Sequence, residues 1–270
     1  MYTENNYIMW LSSLMSISVD AKSELIKALG SCENVWLADR KTLAATKILS
    51  DKALESIIKS RYRYDIDDEL EKLYKSDAKF LTPNDREFPK SLTAMNEPPL
   101  GIYVVGKLPD NSYPMVSIVG SRRITDYGAT VCNSLSRELA EAGVGIVSGL
   151  AMGVDAIAHK AAIDAGGETV AVLGTGVDVC YPAVNTNLYN EIKEKGCLIS
   201  EFPLGTKAFK ANFPYRNRLI ACLSRATLVI EAAEKSGSLI TANRAIENSR
   251  IVMAVPGNIT SKLSKGCNDL

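Results

Sequence analysis

The chain has 270 residues, which is enough for one large domain or for two unequal domains with buried cores. Thirty-one basic residues balance thirty-one acidic ones and 46% of residues are hydrophobic, so the composition excludes a disordered chain and a uniformly basic nucleic-acid-binding protein. Six dispersed cysteines without a Cys-x-x-Cys pair, and a single histidine, His159, argue against a zinc ribbon, a redox motif or a His-clustered metal centre. We therefore expect no bound metal and a reducing, cytoplasmic environment.

The first 65 residues show helical periodicity. Apolar residues recur at helix spacing from Leu25 to Leu29, and Gly30 follows as a helix stop. An apolar stretch near the amino terminus follows Glu4 instead of a cationic segment, so we interpret it as a core helix and not as a signal peptide. No run of 18 apolar residues occurs, and we expect no membrane span. We predict a small all-α domain over residues 1–65.

Residues 66–112 contain a charged helical stretch and two short apolar runs that prolines separate, which we interpret as a connector that adds edge structure to the next domain. From residue 113 to residue 270, six Val/Ile-rich runs alternate with helical stretches, at 115–119, 145–148, 169–173, 197–201, 227–232 and 251–255. This alternation predicts an α/β fold with a doubly wound, mainly parallel sheet. With the common strand order 3-2-1-4-5-6, the ligand crevice would open between the first and fourth of these strands.

Glycine and serine residues follow four of the predicted strands at their carboxyl ends, where open α/β sheets bind ligands. These candidate pocket residues are Gly120, Ser121, Gly149, Gly153, Gly174, Gly176, Ser236, Gly237 and Ser238. Glycines there allow backbone amides to approach an anion closely, although strand-to-helix turns also need glycine for purely structural reasons. The third glycine of the dinucleotide motif and the P-loop are both missing, which disfavours a nicotinamide enzyme or an ordinary ATPase, and we expect no cofactor.

Positive charge is concentrated near the carboxyl terminus, where residues 203–270 hold ten basic and four acidic side chains. Residues 203–225 contain no acidic side chain, and Phe209 and Phe213 lie among their lysines and arginines. Cations that follow phosphates, beside aromatic rings that stack on bases, are typical of sites for single-stranded nucleic acid. Solvated surface charge and phenylalanines buried as core plugs are the alternatives. Pro214 predicts the first residue of a helix, which would place Arg216 in its first turn.

Several of these motifs stand together in one recognisable arrangement. They are Gly120-Ser121-Arg122-Arg123, the run 148–155, Ala158-His159, the run 171–174, Tyr181-Pro182 with Asn185, Ser200-Glu201, Phe213-Pro214 with Arg216-Asn217-Arg218, the run 236–242 and Val255-Pro256-Gly257. In these residues the whole chain resembles the DNA-processing protein A family, also called DprA or Smf.

The resemblance implies an extended Rossmann-like domain, preceded by a helical domain of the sterile-alpha-motif type. It also implies a cytoplasmic homodimer that binds single-stranded DNA and loads the RecA recombinase onto it during natural transformation, without catalysis. Arg122, Lys210 and Phe213 match positions that contact DNA in the family. Our full set of predicted DNA-binding residues is Arg122, Arg123, Lys207, Lys210, Phe213, Arg216, Asn217 and Arg218. The sequence ends at Leu270, where many members continue into a winged-helix domain, and we expect a shortened chain.

An enzyme is the principal alternative, because the glycine-lined edge also resembles that of Rossmann-like phosphoribohydrolases. In such an enzyme Glu201 or Glu231 could serve as acid or base. The chain lacks the Pro-Gly-Gly-x-Gly-Thr signature of those enzymes. Each glutamate could instead have a structural role, in which it caps a strand end or pairs with an arginine. A scaffold with a vestigial pocket stays open as a third interpretation.

Overall fold

A computed structural model describes residues 2–270. Its amino-terminal part is helical, with α1 (Glu4–Ser13), α2 (Val19–Leu29), α3 (Cys32–Leu37), α4 (Arg40–Ala45), α5 (Asp51–Arg61) and α6 (Ile66–Lys75). Serine or aspartate side chains cap the amino ends of α2 to α6, and Gly30 ends α2 in the left-handed conformation, as the sequence predicts. Trp10 and Leu11 of α1 are fully buried among these helices. The sterile-alpha-motif type and the boundary at residue 65 stay predictions.

The connector adds two antiparallel strands to one edge of the main sheet. It contains β1 (Lys79–Leu81), α7 (Lys90–Thr93) and β2 (Ile102–Gly106). β1 pairs with β2, and β2 pairs antiparallel with the strand Cys197–Ser200 of the main sheet. The segment therefore adds two strands to the edge of the sheet.

All six strands predicted after residue 113 are present and parallel: β3 (Met115–Val119), β4 (Gly145–Ser148), β5 (Thr169–Val172), β6 (Cys197–Ser200), β7 (Ala226–Val229) and β8 (Ile251–Ala254). The helices that connect and follow them are α8 (Asp126–Glu141), α9 (Val154–Asp164), α10 (Thr186–Lys195), α11 (Asn212–Leu223), α12 (Gly237–Glu247) and α13 (Lys265–Asp269). Every residue of β4 to β7 is buried, because α8 to α10 cover one face of the sheet and α11 and α12 cover the other. The Rossmann-like α/β prediction is confirmed.

The strand order differs from the predicted one. The sheet runs β1-β2-β6-β5-β4-β3-β7-β8, so the six parallel strands stand in the order 4-3-2-1-5-6. The fourth strand, β6, continues the row on the far side of β5 because its outer edge pairs with β2. The chain then returns through residues 201–225 and α11 to place β7 beside β3. The switch point therefore lies between β3 and β7, the first and fifth strands.

Helix α11 begins at Asn212, two residues before the position that Pro214 predicts. Proline at the third helical residue costs no hydrogen bond, since the first four amides of a helix have no partner within it. Arg216 consequently lies in the second turn and not in the first. Within residues 2–270 no helix is both long enough and apolar enough to cross a membrane.

Candidate nucleic-acid interface

A cleft of about 690 Å³ opens at the carboxyl ends of β3 and β7, beneath the first turns of α11 and beside the start of α12. We call it the carboxyl-edge cleft. Of the predicted residues, those that line it are Gly120, Ser121, Arg122, Lys210, Phe213, Arg216, Asn217, Ser236, Gly237 and Ser238. The switch point of the sheet thus brings the β3 turn, the 203–225 segment and the α12 turn to one place, which is where open α/β sheets bind ligands.

The turn after β3 is tied to the end of β7. The Ser121 amide donates to the Glu231 carbonyl at 2.7 Å, and the Ser121 hydroxyl donates to the Arg123 carbonyl at 2.6 Å. The buried Glu231 carboxylate accepts a hydrogen bond of 2.6 Å from the Thr125 hydroxyl. This carboxylate therefore secures the start of α8, which is a structural contact.

Two glycines allow close contacts around the cleft. Gly153 has a φ of +77°, and a Cβ there would also meet the backbone of Ser121 and Arg122. A Cβ at Gly174 would lie 2.9 Å from the Phe213 ring, so this glycine lets the ring rest on the chain after β5. Both positions shape the cleft wall without lining the cleft itself.

Phe213 stands between a cation and a second aromatic ring. Its centroid is 5.9 Å from the Arg122 guanidinium carbon and 5.3 Å from the Tyr181 ring. The Phe213 side chain is half-buried and Tyr181 is exposed, so aromatic surface remains open to a ligand. Phe209 is 60% exposed and does not line the cleft, so it is no core plug.

Four predicted cations are free of carboxylate partners. Arg122, Arg123, Lys207 and Lys210 are exposed, and none has a carboxylate within 4.0 Å among the described residues. Arg122 and Lys210 line the cleft, while Arg123 and Lys207 flank them in sequence. This charge is available to an anionic ligand.

Arg216 lines the cleft but is committed to the backbone. Its guanidinium donates to the Gly149 carbonyl at 3.0 Å and to the Val172 carbonyl, and only 5% of the residue is exposed. Burial lowers the pKa of Arg216 to about 10, against the attraction of the buried Asp155 carboxylate. Asp155 in turn accepts hydrogen bonds from the amides of Gly149 and Ala151 at 3.2 and 3.3 Å. Arg216 thus holds together the ends of β4 and β5.

Arg218, two residues further on, lies outside the cleft, which corrects its placement among the DNA-binding residues. Its guanidinium pairs with the buried Glu201 carboxylate and donates to the Tyr215 hydroxyl at 2.8 Å and to the Glu97 carbonyl at 2.8 Å. Burial raises the pKa of Glu201 and Arg218 opposes that shift. Glu201, the other carboxylate that an enzyme could use, is therefore also held in a structural contact.

Asn217 at the cleft also joins two helices, and the other predicted residues lie close to the cleft without lining it. The Asn217 amide donates to the Gly237 carbonyl at 3.3 Å, which joins α11 to the start of α12. Gly149 lines a small cavity beside Arg122, and Gly176 is buried next to Gly205. His159 is fully buried and its Nδ1 lies 2.7 Å from the Thr169 hydroxyl, in keeping with a local structural role.

Comparison with known proteins identifies the family. A family model described as DNA recombination-mediator protein A matches residues 79–270, which is more than half of the chain. The chain belongs to this family.

Members of the family with curated names are similar over most of the chain. The protein Smf of Synechocystis sp. is 40% identical over 242 residues, covering 88% of this chain and 61% of the relative. The DNA processing protein DprA of Streptococcus pneumoniae is 43% identical over 187 residues, covering 68% of this chain and 64% of the relative. The chain thus spans about three fifths of the length of these relatives.

Solved structures of DprA proteins share the fold. The X-ray structure of DprA from Streptococcus pneumoniae superposes with a TM-score of 0.84 at 34% identity, covering 100% of this chain and 92% of that one. DprA from Helicobacter pylori, whose structure is described for its single-stranded DNA binding mode, superposes with a TM-score of 0.64 at 32% identity over 71% of this chain and 86% of that one.

Sequence reasoning assigned no role to two residues that the DprA fold brings to the cleft. Tyr181 faces Phe213, and Asp155 lies beneath Arg216. Tyr181 belongs to the Tyr-Pro pair within the family motifs, so the sequence contained the signal. Asp155 lies two residues after Gly153 in the Gly-rich run after β4, at the start of α9. A carboxylate is favourable there because the free amides at the amino end of a helix attract negative charge.

Proposed function

We propose that this DprA-family chain binds single-stranded DNA in the carboxyl-edge cleft. The observation that carries the proposal is the grouping of unpaired Arg122 and Lys210 around the open face of Phe213. A charged groove with an aromatic platform is the arrangement that holds single strands without reading their sequence. The similarity to a DprA protein described for single-stranded DNA binding supports the same ligand.

The charged part of the site predicts strong salt dependence. If Arg122, Arg123, Lys207 and Lys210 each neutralise one phosphate, a slope of about −0.7 per contact on single strands gives a total of about −2.8. Affinity should then fall about fiftyfold between 50 and 200 mM salt. Arg216 and Arg218 are left out of this sum because their guanidinium groups are buried in protein contacts.

Fluorescence anisotropy with labelled single-stranded and duplex oligonucleotides of equal length tests the proposal. We expect the single strand to bind more tightly, with little dependence on base sequence, since duplex bases are not available to Phe213. Affinity that does not respond to salt, or equal affinity for the duplex, would contradict it.

We further propose that the bound strand is passed to RecA in the bacterial cytoplasm, without a catalytic step in this chain. Membership of a recombination-mediator family supports this role, and the structural contacts of Glu201 and Glu231 favour binding over hydrolysis. RecA hydrolyses ATP when it assembles on single strands. Faster onset of that hydrolysis on addition of the chain is the expected result, and an unchanged or slower onset would argue against transfer to RecA.

A homodimer is proposed on the basis of the free edge of the sheet. β8 ends the sheet, and its Ile251 and Met253 are 63% and 41% exposed, beside Ile246 of α12 at 57%. Exposed apolar side chains on an unpaired edge strand favour association with a second copy. Light scattering should give twice the chain mass, and Ile251→Lys should shift the population to the monomer. A monomeric unsubstituted chain would contradict the proposal.

A further inference from the structure

A second cavity, of about 330 Å³, opens at the opposite edge of the parallel sheet. We call it the amino-edge cavity. It is lined by Met115 at the start of β3, by the link from α11 to β7 at residues 223–225 and by Arg250 just before β8. The connector contributes residues 108–111, Tyr113 and four residues at α7, which are Pro89, Lys90, Ser91 and Ala94. It shares no lining residue with the carboxyl-edge cleft. The proposed DNA site therefore makes no use of it.

Two arginines in this cavity lack partners. The guanidinium groups of Arg225 and Arg250 make no hydrogen bond or ion pair with any residue in the described part of the chain, and Nε of Arg250 is buried without a partner. Arg225 belongs to the acid-free segment 203–225, yet the fold carries it to the edge opposite the DNA cleft. Both arginines line the cavity and Arg225 is exposed, so their guanidinium groups can bind an acceptor supplied from outside the chain.

The one carboxylate that lines the cavity is already engaged. Asp110 accepts hydrogen bonds from the Ser112 amide at 2.9 Å and from the Ser112 hydroxyl at 2.6 Å. The cations that act on it electrostatically are Arg86 and Lys90, not the two arginines. With Lys90, Arg225 and Arg250 against one carboxylate, the cavity lining thus keeps a net positive charge.

Arg225 follows the end of α11 and Arg250 follows the end of α12, where partial negative charge attracts cations. Neither guanidinium donates to a helix carbonyl within residues 2–270, so that attraction leaves their hydrogen-bonding capacity unused. Apolar surface completes the site: Val147 and Val170 are buried in β4 and β5, and Leu223 lies beside them. Charged and apolar side chains that line one cavity fit an amphipathic ligand.

We propose that the amino-edge cavity binds a small organic anion, with a carboxylate or phosphate held by Arg225 and Arg250 and a ring-sized apolar body against Val147, Val170 and Leu223. Arginine forks match the oxygens of both anions in a bidentate manner. The volume lies at the lower end of the range for small-molecule pockets, which fits a single ring with one charged group.

Calorimetry with four probes on the full chain tests this proposal. Phenyl phosphate and phenylacetate carry both parts of the ligand and differ in the anion, while benzyl alcohol lacks the charge and inorganic phosphate lacks the apolar body. We expect one or both of the first two probes to bind and to outcompete the other two. No binding of either at about 1 mM, or equal binding of inorganic phosphate, would overturn the proposal.

Variants locate the site. Arg225 is exposed, so Arg225→Ala should leave the fold intact and weaken the bound probe by about tenfold or more, with Arg250→Gln as an independent second variant. Arg63→Ala removes an exposed arginine in the turn after α5 and serves as the matched control. Single-stranded DNA affinity should stay within about twofold in the Arg225 variant, since that edge is outside the DNA cleft. Probe binding that survives both substitutions would refute the assignment.

Discussion

Replacing Phe213 with alanine removes the one ring that contacts both a cation and a second aromatic side chain at the carboxyl-edge cleft. The ring lies 5.9 Å from the Arg122 guanidinium and 5.3 Å from Tyr181, and part of it is open to the cleft. Stacking of one base on such a ring contributes about 1 to 3 kcal/mol, so Phe213→Ala should weaken single-stranded DNA binding by roughly 5- to 150-fold. The slope of affinity against salt should not change, because no counterion is released at an uncharged ring.

Anisotropy titrations between 50 and 200 mM salt measure both quantities, and a melting curve checks the fold. A fully buried phenylalanine would cost about 3 to 5 kcal/mol of stability on truncation, whereas the half-buried Phe213 should cost less. Tyr62→Ala is the matched control, because this aromatic side chain is 87% exposed and does not line the cleft. Unfolding of the Phe213 variant, or unchanged affinity with an intact fold, would refute the stacking role.

The charged contacts should behave differently. Arg122→Ala and Lys210→Ala should each weaken binding to all sequences alike and reduce the steepness of the salt slope by about 0.7, as titrations at several salt concentrations would show; an unaltered slope would exclude a phosphate contact. Arg218→Ala leaves the buried Glu201 carboxylate uncompensated, so chemical denaturation should show a loss of about 3 to 5 kcal/mol, with the DNA salt slope unaffected. Burial lowers the pKa of His159 to about 3, so between that value and its ordinary value of 6.5 the unfolded chain binds a proton that the folded chain excludes. The free energy of unfolding should therefore fall by up to about 1.4 kcal/mol per pH unit as pH falls through this range, and His159→Gln should remove that contribution in urea titrations at several pH values.

The strands could be located from the sequence because each buried parallel strand is a short Val/Ile-rich run with a turn at its end. Their order could not, because it depends on which sheet edge each strand joins. β6 lies between β5 and β2, and only the pairing with the connector strand fixes that place. The switch point therefore lies between β3 and β7 and not between the first and fourth predicted strands. The turn after β3 and the 203–225 segment still lie together there, because α11 crosses the sheet to reach β7.

Helical geometry explains which predicted site residues face the carboxyl-edge cleft. Phe213, Arg216, Asn217 and Ile220 all line it, and their spacing of three and four residues places them on one face of α11. Arg218 is two residues from Arg216, or about 200° around the helix, and so it meets Glu201 on another side. The run of basic residues indicated charge near the cleft, but charge density alone does not distinguish these two directions.

Arg216 is the residue for which a phosphate contact and a structural contact predict the most different results. The sequence predicts that Arg216 contacts DNA. In the structure the Arg216 guanidinium instead donates to the Gly149 and Val172 carbonyls, next to the Asp155 carboxylate. Arg216→Met keeps an unbranched apolar stem but removes the guanidinium and leaves those carbonyls without a donor, at about 1 to 3 kcal/mol each, so the melting temperature should drop. Adding Asp155→Asn should recover part of the loss, because the buried carboxylate no longer lacks its cation. DNA affinity of the folded protein should fall as the cleft loosens, with the salt slope unchanged. A slope shallower by about 0.7 with full stability would instead make Arg216 a phosphate ligand.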